Sequence, residues 1–303
     1  MNPSDVFLTG ATGHVGPAVL HELSKSGRTV TALVREPAVL SGARSVVGML
    51  GFLDDLTDEI GAAGSIVHLA SERTDQRERV LFDDILGTGE LLDAWQRGPF
   101  VYASSSTIHG EPQAVLDASA PVHILDWYNA GKVVNEFQVT RAAEEGANGR
   151  GPGVSLRPSL VFGRSRVKPR NQYLDRFFHH ALAGHTFTFD MDAAVEGGGA
   201  SYIGDADFGR AVVAALDRGE TTAYPVASGF VTWRNLLETI NRVAGTNAQY
   251  AVRPPGSNDA RVPHSRIEID SSAFTSRTGW KPQQGLDELV EAFVNGEREA
   301  GRV

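Results

Sequence analysis

Residues Phe7 to Gly16 read Phe-Leu-Thr-Gly-Ala-Thr-Gly-His-Val-Gly: a short apolar strand runs into glycines at 10, 13 and 16, and a helical pattern opens behind them. Glycine allows the first turn to tighten, lets the backbone approach an anion and lets the helix pack close to its strand. The helix N-terminus supplies N–H groups with no partner inside the helix. The pattern predicts that Gly10, Thr12, Gly13, His14, Val15 and Gly16 cradle the pyrophosphate of a dinucleotide. The plainer alternative is a tight strand-to-helix turn in a chain that holds 33 glycines.

Composition removes several other classes. With 303 residues and 41% hydrophobic content the chain can bury one large core or two fused smaller ones. The net charge of -9 is spread along the sequence and offers no attraction to a phosphate backbone, so no nucleic-acid partner is expected. Cysteine is absent, which excludes disulfides, thiolate metal sites and thiol catalysis. No apolar run reaches the roughly 18 residues of a membrane span. No basic segment followed by an apolar one precedes the first strand, and a cytoplasmic location is expected.

The first half alternates between two periods. Strands are expected at Val6–Thr9, Thr29–Val34, Ser45–Leu50, Ser65–Ala70, Phe100–Ser104 and Val154–Arg157. Helices are expected through Val19 and Leu23, from about Phe82 to Trp95, and from Tyr128 to about Glu145. Apolar runs of this length between helices predict an α/β fold, a doubly wound parallel sheet of the Rossmann type. After Arg157 the rhythm loosens into helices near Tyr173–Ala183, Asp207–Leu216 and Arg234–Ala244, with a glycine cluster at Gly197–Gly199. No alternating core is legible there. The expected division is a dinucleotide-binding core over 1–158 and a smaller substrate-covering lobe over 159–303, with 205–227 returning to the core. Within that lobe Ser165–Ala200, bearing Arg164, Arg166, Lys168 and Arg170 at its start, is expected to form a mobile cover.

Three groups of residues bear chemistry. Val34-Arg35 closes the second strand, where this architecture meets the adenosine ribose; an arginine there suits a 2′-phosphate, and a solvated surface arginine is the alternative. Tyr128 and Lys132 stand four apart, so one helical turn sets phenol and ammonium on the same face. A phenol of ordinary pKa near 10 becomes useful at neutral pH only if its anion gains roughly 4 kcal/mol of preferential stabilisation, which a lysine and a cationic nicotinamide can supply. The alternative is a surface helix pair. Ser104-Ser105-Ser106-Thr107 follows a strand, where hydroxyls either donate to a substrate carbonyl or make turns. The histidines, among them His109, His123, His179, His180 and His264, show no metal-ligand spacing, and no metal is expected.

In this order the pieces resemble the extended short-chain dehydrogenase/reductase family, of the NAD(P)-dependent epimerase/dehydratase type, over nearly the whole chain. Thr-Gly-Ala-Thr-Gly-His-Val-Gly is similar to its glycine motif, His68-Leu69-Ala70-Ser71 to its fourth-strand signature, and Tyr102–Gly110 to its catalytic-serine strand. Tyr128 and Lys132 look like its catalytic pair. Leu156–Gly163, Tyr202–Asp207 and Thr278–Pro282 look like later signatures. The resemblance implies that Ser105 polarises a carbonyl, Tyr128 transfers the proton, and Lys132 holds the nicotinamide ribose and tunes the phenol. It also implies cofactor contacts from Met49, Leu50, Leu69, Ala70, Ser71, Pro158 and Leu160.

The departures point to the substrate. Leu160 stands where sugar-nucleotide members place an asparagine, as in members that reduce apolar carbonyls. Asp84 replaces the asparagine that supports the proton relay, Met49 replaces an aspartate at the adenine edge, Gly131 replaces a small hydroxyl residue, and Trp127 precedes the tyrosine. The expected activity is an NADPH-dependent ketoreductase acting on a bulky apolar carbonyl compound, such as an aromatic polyketide in antibiotic biosynthesis, in a monomer or homodimer. Alternatives are a sugar-nucleotide epimerase, dehydratase or 4-ketoreductase, and a non-catalytic NADP(H)-binding sensor.

Overall fold

The computed structural model describes residues 5–110, 115–146, 149–162, 172–189, 197–252, 266–299 and 301. Seven strands form one parallel sheet: β1 (Asp5–Thr9), β2 (Thr29–Val34), β3 (Ala43–Val47), β4 (Ser65–His68), β5 (Gly98–Ala103), β6 (Arg150–Pro158) and β7 (Thr222–Val226). Their order across the sheet is β7-β6-β5-β4-β1-β2-β3. The chain reverses direction across the sheet between β1 and β4, and the ends of these strands open a crevice of the kind that holds ligands in such sheets.

Successive residues of β1 feed opposite faces. Val6 and Leu8 join a core with Val19, Leu23, Phe208 and Val212, which come from α1 (Gly16–Lys25) and a later helix. Phe7 joins Ile60, Leu91, Phe100 and Val139 on the other face, beneath α2 (Thr57–Ala62), α3 (Gly87–Ala94) and α4 (Trp127–Glu144). This is why the strands read as unbroken apolar runs: both sides are covered. The helix expected from Phe82 to Trp95 is two pieces. Val80–Leu86 winds as a π-helix before α3 begins. Its loosened turn presents the carbonyls of Asp84 and Ile85 to α4, where Asn135 Nδ2 and Gln138 Nε2 donate to them, each at 3.2 Å.

Later in the chain come the helices α5 (Gln172–Leu182), α6 (Asp205–Arg218), α7 (Trp233–Ala244), α8 (Ser272–Thr278) and α9 (Leu286–Glu299). Helix α6 packs beside α1, where Gly209 permits close approach: a Cβ there would stand 2.9 Å from the Ala18 carbonyl oxygen. The expectation that the second half lacks a core is corrected. Phe162, Phe177, Phe178, Tyr202, Trp233, Leu236 and Val290 form one, against a second sheet with strands at 160–162, 199–204, 229–232 and 266–269. Short strands and separate helices each lend it a few side chains, so no single run betrays it.

Of the expected mobile cover over Ser165–Ala200, residues 165–171 and 190–196 lie outside the described residues. Its helix α5 buries Phe177 and Phe178, with Phe177 stacked on Phe187 at 4.3 Å. Farther along, the Asp207 carboxylate in α6 accepts from the backbone N–H groups of Gln283 and Gln284 at 2.8 and 3.0 Å and from Ser228 Oγ at 2.7 Å. The Trp280 indole donates to its carbonyl at 3.2 Å. The segments Tyr202–Asp207 and Thr278–Pro282, read separately in the sequence, therefore meet.

Candidate active site

A cleft of about 550 Å³ opens along the carboxyl ends of the strands. At one end lies the glycine turn. Gly10 has φ +78° and sits so close to β4 that a Cβ would stand 2.6 Å from the Ala70 nitrogen. The Gly13 N–H donates to the Gly10 carbonyl at 2.9 Å, which closes the turn. Helix α1 begins with no side-chain cap and has a proline in its first turn, so its leading N–H groups are free for an anion. Gly10, Thr12, Gly13, His14 and Val15 all line the cleft. Gly16 does not; a Cβ there would lie 2.3 Å from the Gly10 carbonyl oxygen, so its place is to let helix and turn pack. His14 reaches across, its Nε2 3.3 Å from the Val161 carbonyl oxygen.

The cleft's far wall holds Arg35 at the end of β2, with Met49 and Leu50 beyond β3 and Leu69, Ala70 and Ser71 beyond β4. Arg35 Nη1 stands 3.5 Å from Glu72 Oε1, whose other oxygen pairs with Arg79 at 2.9 Å. Glu72, Arg73 and Arg79 also line this end. The sequence reading missed them, since nothing in a loop segment shows that it turns back towards β2.

At the middle of the cleft α4 brings Tyr128 and Lys132 to the end of β5. Asp126 caps the helix by accepting from the Asn129 N–H at 2.7 Å, which fixes where the first turn begins. Lys132 is 3% exposed; its Nζ donates to the Ala103 carbonyl at 2.7 Å and lies 4.9 and 5.5 Å from the ring centres of Tyr102 and Tyr128. Burial alone would lower its pKa, but the Tyr102 and Tyr128 phenols and the Asp84 carboxyl outweigh burial and raise it. Burial pushes the Tyr102 phenol up to about 12 despite Lys132.

The hydroxyl run after β5 divides its work. Ser104 Oγ donates to Glu136 at 2.5 Å, and Arg157 grips the same carboxylate with two bonds of 2.9 and 2.7 Å. Ser104 is thereby committed inward. Ser105 Oγ faces the cleft, 2.8 Å from Thr107 Oγ1, which itself donates to Asn129 Oδ1 at 2.8 Å. Opposite stand Pro158, Ser159 and Leu160. Ser159 Oγ is buried in the cleft wall and has no hydrogen-bond partner among the described residues. An orphaned hydroxyl beside an uncapped helix start and a glycine cradle fits a dinucleotide with polar groups along its length. Neither Ser159 nor the Thr107–Asn129 link has a spacing signal in the sequence.

Among the described residues no cluster of three or more metal-ligating side chains occurs. No described helix is long and apolar enough to cross a membrane.

Residues 6–225 match the NAD dependent epimerase/dehydratase family. The chain is similar to a sterol-4-alpha-carboxylate 3-dehydrogenase, decarboxylating, of Dictyostelium discoideum, 28% identical over 178 residues covering 52% of this chain and 54% of that protein. It is also similar to a 3-beta-hydroxysteroid dehydrogenase of Mycolicibacterium neoaurum, 26% identical over 200 residues covering 59% and 52%. The chain thus spans about half the length of the curated relatives it matches. Among solved structures, a UDP-glucose-4-epimerase of Stenotrophomonas maltophila with bound NAD superposes with a TM-score of 0.81 at 19% identity, over 98% of this chain and 99% of that one. At that identity the likeness is one of fold.

Proposed function

Because the chain belongs to the NAD dependent epimerase/dehydratase family, it is read as a nicotinamide-dependent enzyme, and we propose that it is an NADPH-dependent ketoreductase for a bulky, largely apolar carbonyl compound. The observation that supports this most directly is that Ser105, Tyr128 and Lys132 line one cleft, which Leu160 lines as well. In this reading the bound cofactor supplies the hydride. Ser105 polarises the substrate carbonyl, Tyr128 delivers the proton to the oxygen, and Lys132 holds the ribose and steadies the phenol's anion. Leu160 offers no donor, and a buried substrate phosphate without donors would cost several kcal/mol.

Two relatives are dehydrogenases of sterol or steroid substrates by name, which also favours a polycyclic apolar compound. Aromatic polyketides and steroid ketones are the classes to try first. Arg35 supports the phosphorylated cofactor, as it replaces the acid that would accept from a ribose 2′-hydroxyl. The test is purified protein with NADPH or NADH and a panel of polycyclic ketones, followed at the nicotinamide absorbance, beside melting curves with UDP- and dTDP-sugars. Turnover of a polycyclic ketone and no added stability from nucleotide sugars are expected. Stabilisation by a nucleotide sugar, with its conversion, would overturn the apolar reading in favour of a sugar-nucleotide enzyme.

A further inference from the structure

Lys132 places a buried positive charge in the floor of the cleft, and its immediate neighbours are the Ala103 carbonyl and two aromatic rings, none of them an anion. A second cation brought alongside would be repelled in such a poorly solvated place. Three carboxylates line the cleft, Glu72, Asp83 and Asp84. Glu72 is engaged by Arg35 and Arg79, and Asp83 lies 3.8 Å from Arg79. Asp84 differs from both. It is 3% exposed, and among the described residues it has no ion-pair partner.

Burial pushes its carboxyl above the usual carboxylate range, and the charge of Lys132 and two hydrogen bonds to the carboxylate act against that. Oδ2 accepts from Ser71 Oγ at 3.1 Å and Oδ1 from the Glu72 N–H at 2.8 Å. Its own backbone carbonyl is fixed from behind by Thr88 Oγ1 and by Asn135 Nδ2. Across from it stands Gly131, where a Cβ would lie 3.8 Å from Oδ2, so no side chain of α4 shields the carboxylate on that side. Lys132 is the cation whose field reaches it.

We propose that Asp84 is the fixed counter-charge of Lys132, and that it sets the preference of the cleft for the oxidised, cationic nicotinamide over the reduced, neutral one. This rests on the reading of the cleft as a nicotinamide site. Both oxidation states meet the same turn, arginines and hydroxyls; only the oxidised one gains from a carboxylate. By linkage, a cleft that holds the oxidised form more tightly makes the bound reduced form the stronger hydride donor. Asp84 thus acts as a positioning charge that favours reduction of the substrate, without touching it.

The experiment is a titration of the full chain, wild type, Asp84→Asn and Asp84→Glu, with oxidised and reduced NADP, followed by calorimetry and by quenching of protein fluorescence. Asp84→Asn should weaken the oxidised form roughly three- to tenfold while the reduced form changes less than twofold. Asp84→Glu retains the charge and should retain the wild-type ratio even if both affinities fall. Equal loss of both forms in Asp84→Asn, or an unchanged ratio, would overturn the proposal and leave Asp84 as a support for the Ser71–Glu72 turn. Failure of the wild type to bind either form would overturn the nicotinamide reading itself, and this inference with it.

Discussion

Arg35 extends from the end of β2 with its side chain 68% exposed and Glu72 as its neighbour, so its worth lies in selecting a cofactor rather than in stability. Arg35→Asp should move preference from the phosphorylated towards the unphosphorylated dinucleotide by about one order of magnitude, because it removes a charged donor and supplies a ribose acceptor. Titrating both cofactors against both proteins checks this; an unaltered ratio would assign selectivity to another group, with Arg79 next to be tried. At Tyr128 the expectation concerns rate. Tyr128→Phe should lower turnover about 10²–10⁴-fold with cofactor affinity little changed, and near-normal turnover would mean that water or the substrate supplies the proton. Gly10, Tyr128 and Lys132 were legible in the sequence because their chemistry resides in local spacing: a turn that tolerates positive φ, and one helical repeat. Ser159 and Asn129 were not. Their roles arise where β6, the Ser105–Thr107 turn and α4 converge, and no one-dimensional pattern encodes that approach.

Most strands and helices of the first half were readable, with β2 at its expected limits and α4 within a residue, but β3 runs over Ala43–Val47 rather than Ser45–Leu50 and the short α2 was not read. The π-helical Val80–Leu86 was not, since its apolar periodicity passes for an ordinary helix until α4 is packed against it. One buried chain of hydrogen bonds ties this segment to the sheet. Thr88 Oγ1 donates to the Asp84 carbonyl, so His68 must donate from Nε2 to Thr88 at 3.0 Å and accept at Nδ1 from Thr9 Oγ1 at 2.6 Å. Only Nδ1 can take a further proton, which would end its acceptance from Thr9, and burial together with Lys132 lowers the His68 pKa from 6.5 to about 3. Below pH 6.5 the unfolded chain protonates this histidine and the folded one does not until about pH 3. Stability present above pH 6.5 is therefore lost on acidification through that window, by at most roughly 1.4 kcal/mol per pH unit. His68→Gln should be less stable at neutral pH yet show a shallower acid limb in denaturant titrations between pH 6 and 4. Parallel limbs would mean that other groups dominate acid unfolding.

Across the whole molecule the joint between the main sheet and the later residues is the Asp207 carboxylate, which takes two backbone N–H groups of the segment leading into α9 while pairing with Arg210. Arg210 in turn lies 3.6 Å from Glu22 of α1. The second core and the Rossmann-type sheet should consequently melt in one transition. Asp207→Asn retains one acceptor but sets an amide N–H against a backbone N–H, which should cost about 2–4 kcal/mol and lower Tm by several degrees. Calorimetry decides it: an unchanged Tm would show that the apolar contacts alone hold the two parts together. The sequence displayed both halves of this joint as separate signatures, but not that they were one device.

Val80 and Gly131 occupy a single space. A Cβ at 131 would come within 2.7 Å of Val80 Cγ1, a methyl on a stiff β-branched side chain that has nowhere to turn. The two positions cannot drift independently. A lineage that places a side chain before Lys132 must first trim Val80, and the reverse order passes through an overpacked intermediate. Descent from this sequence has a direction at that point, imposed by one methyl group.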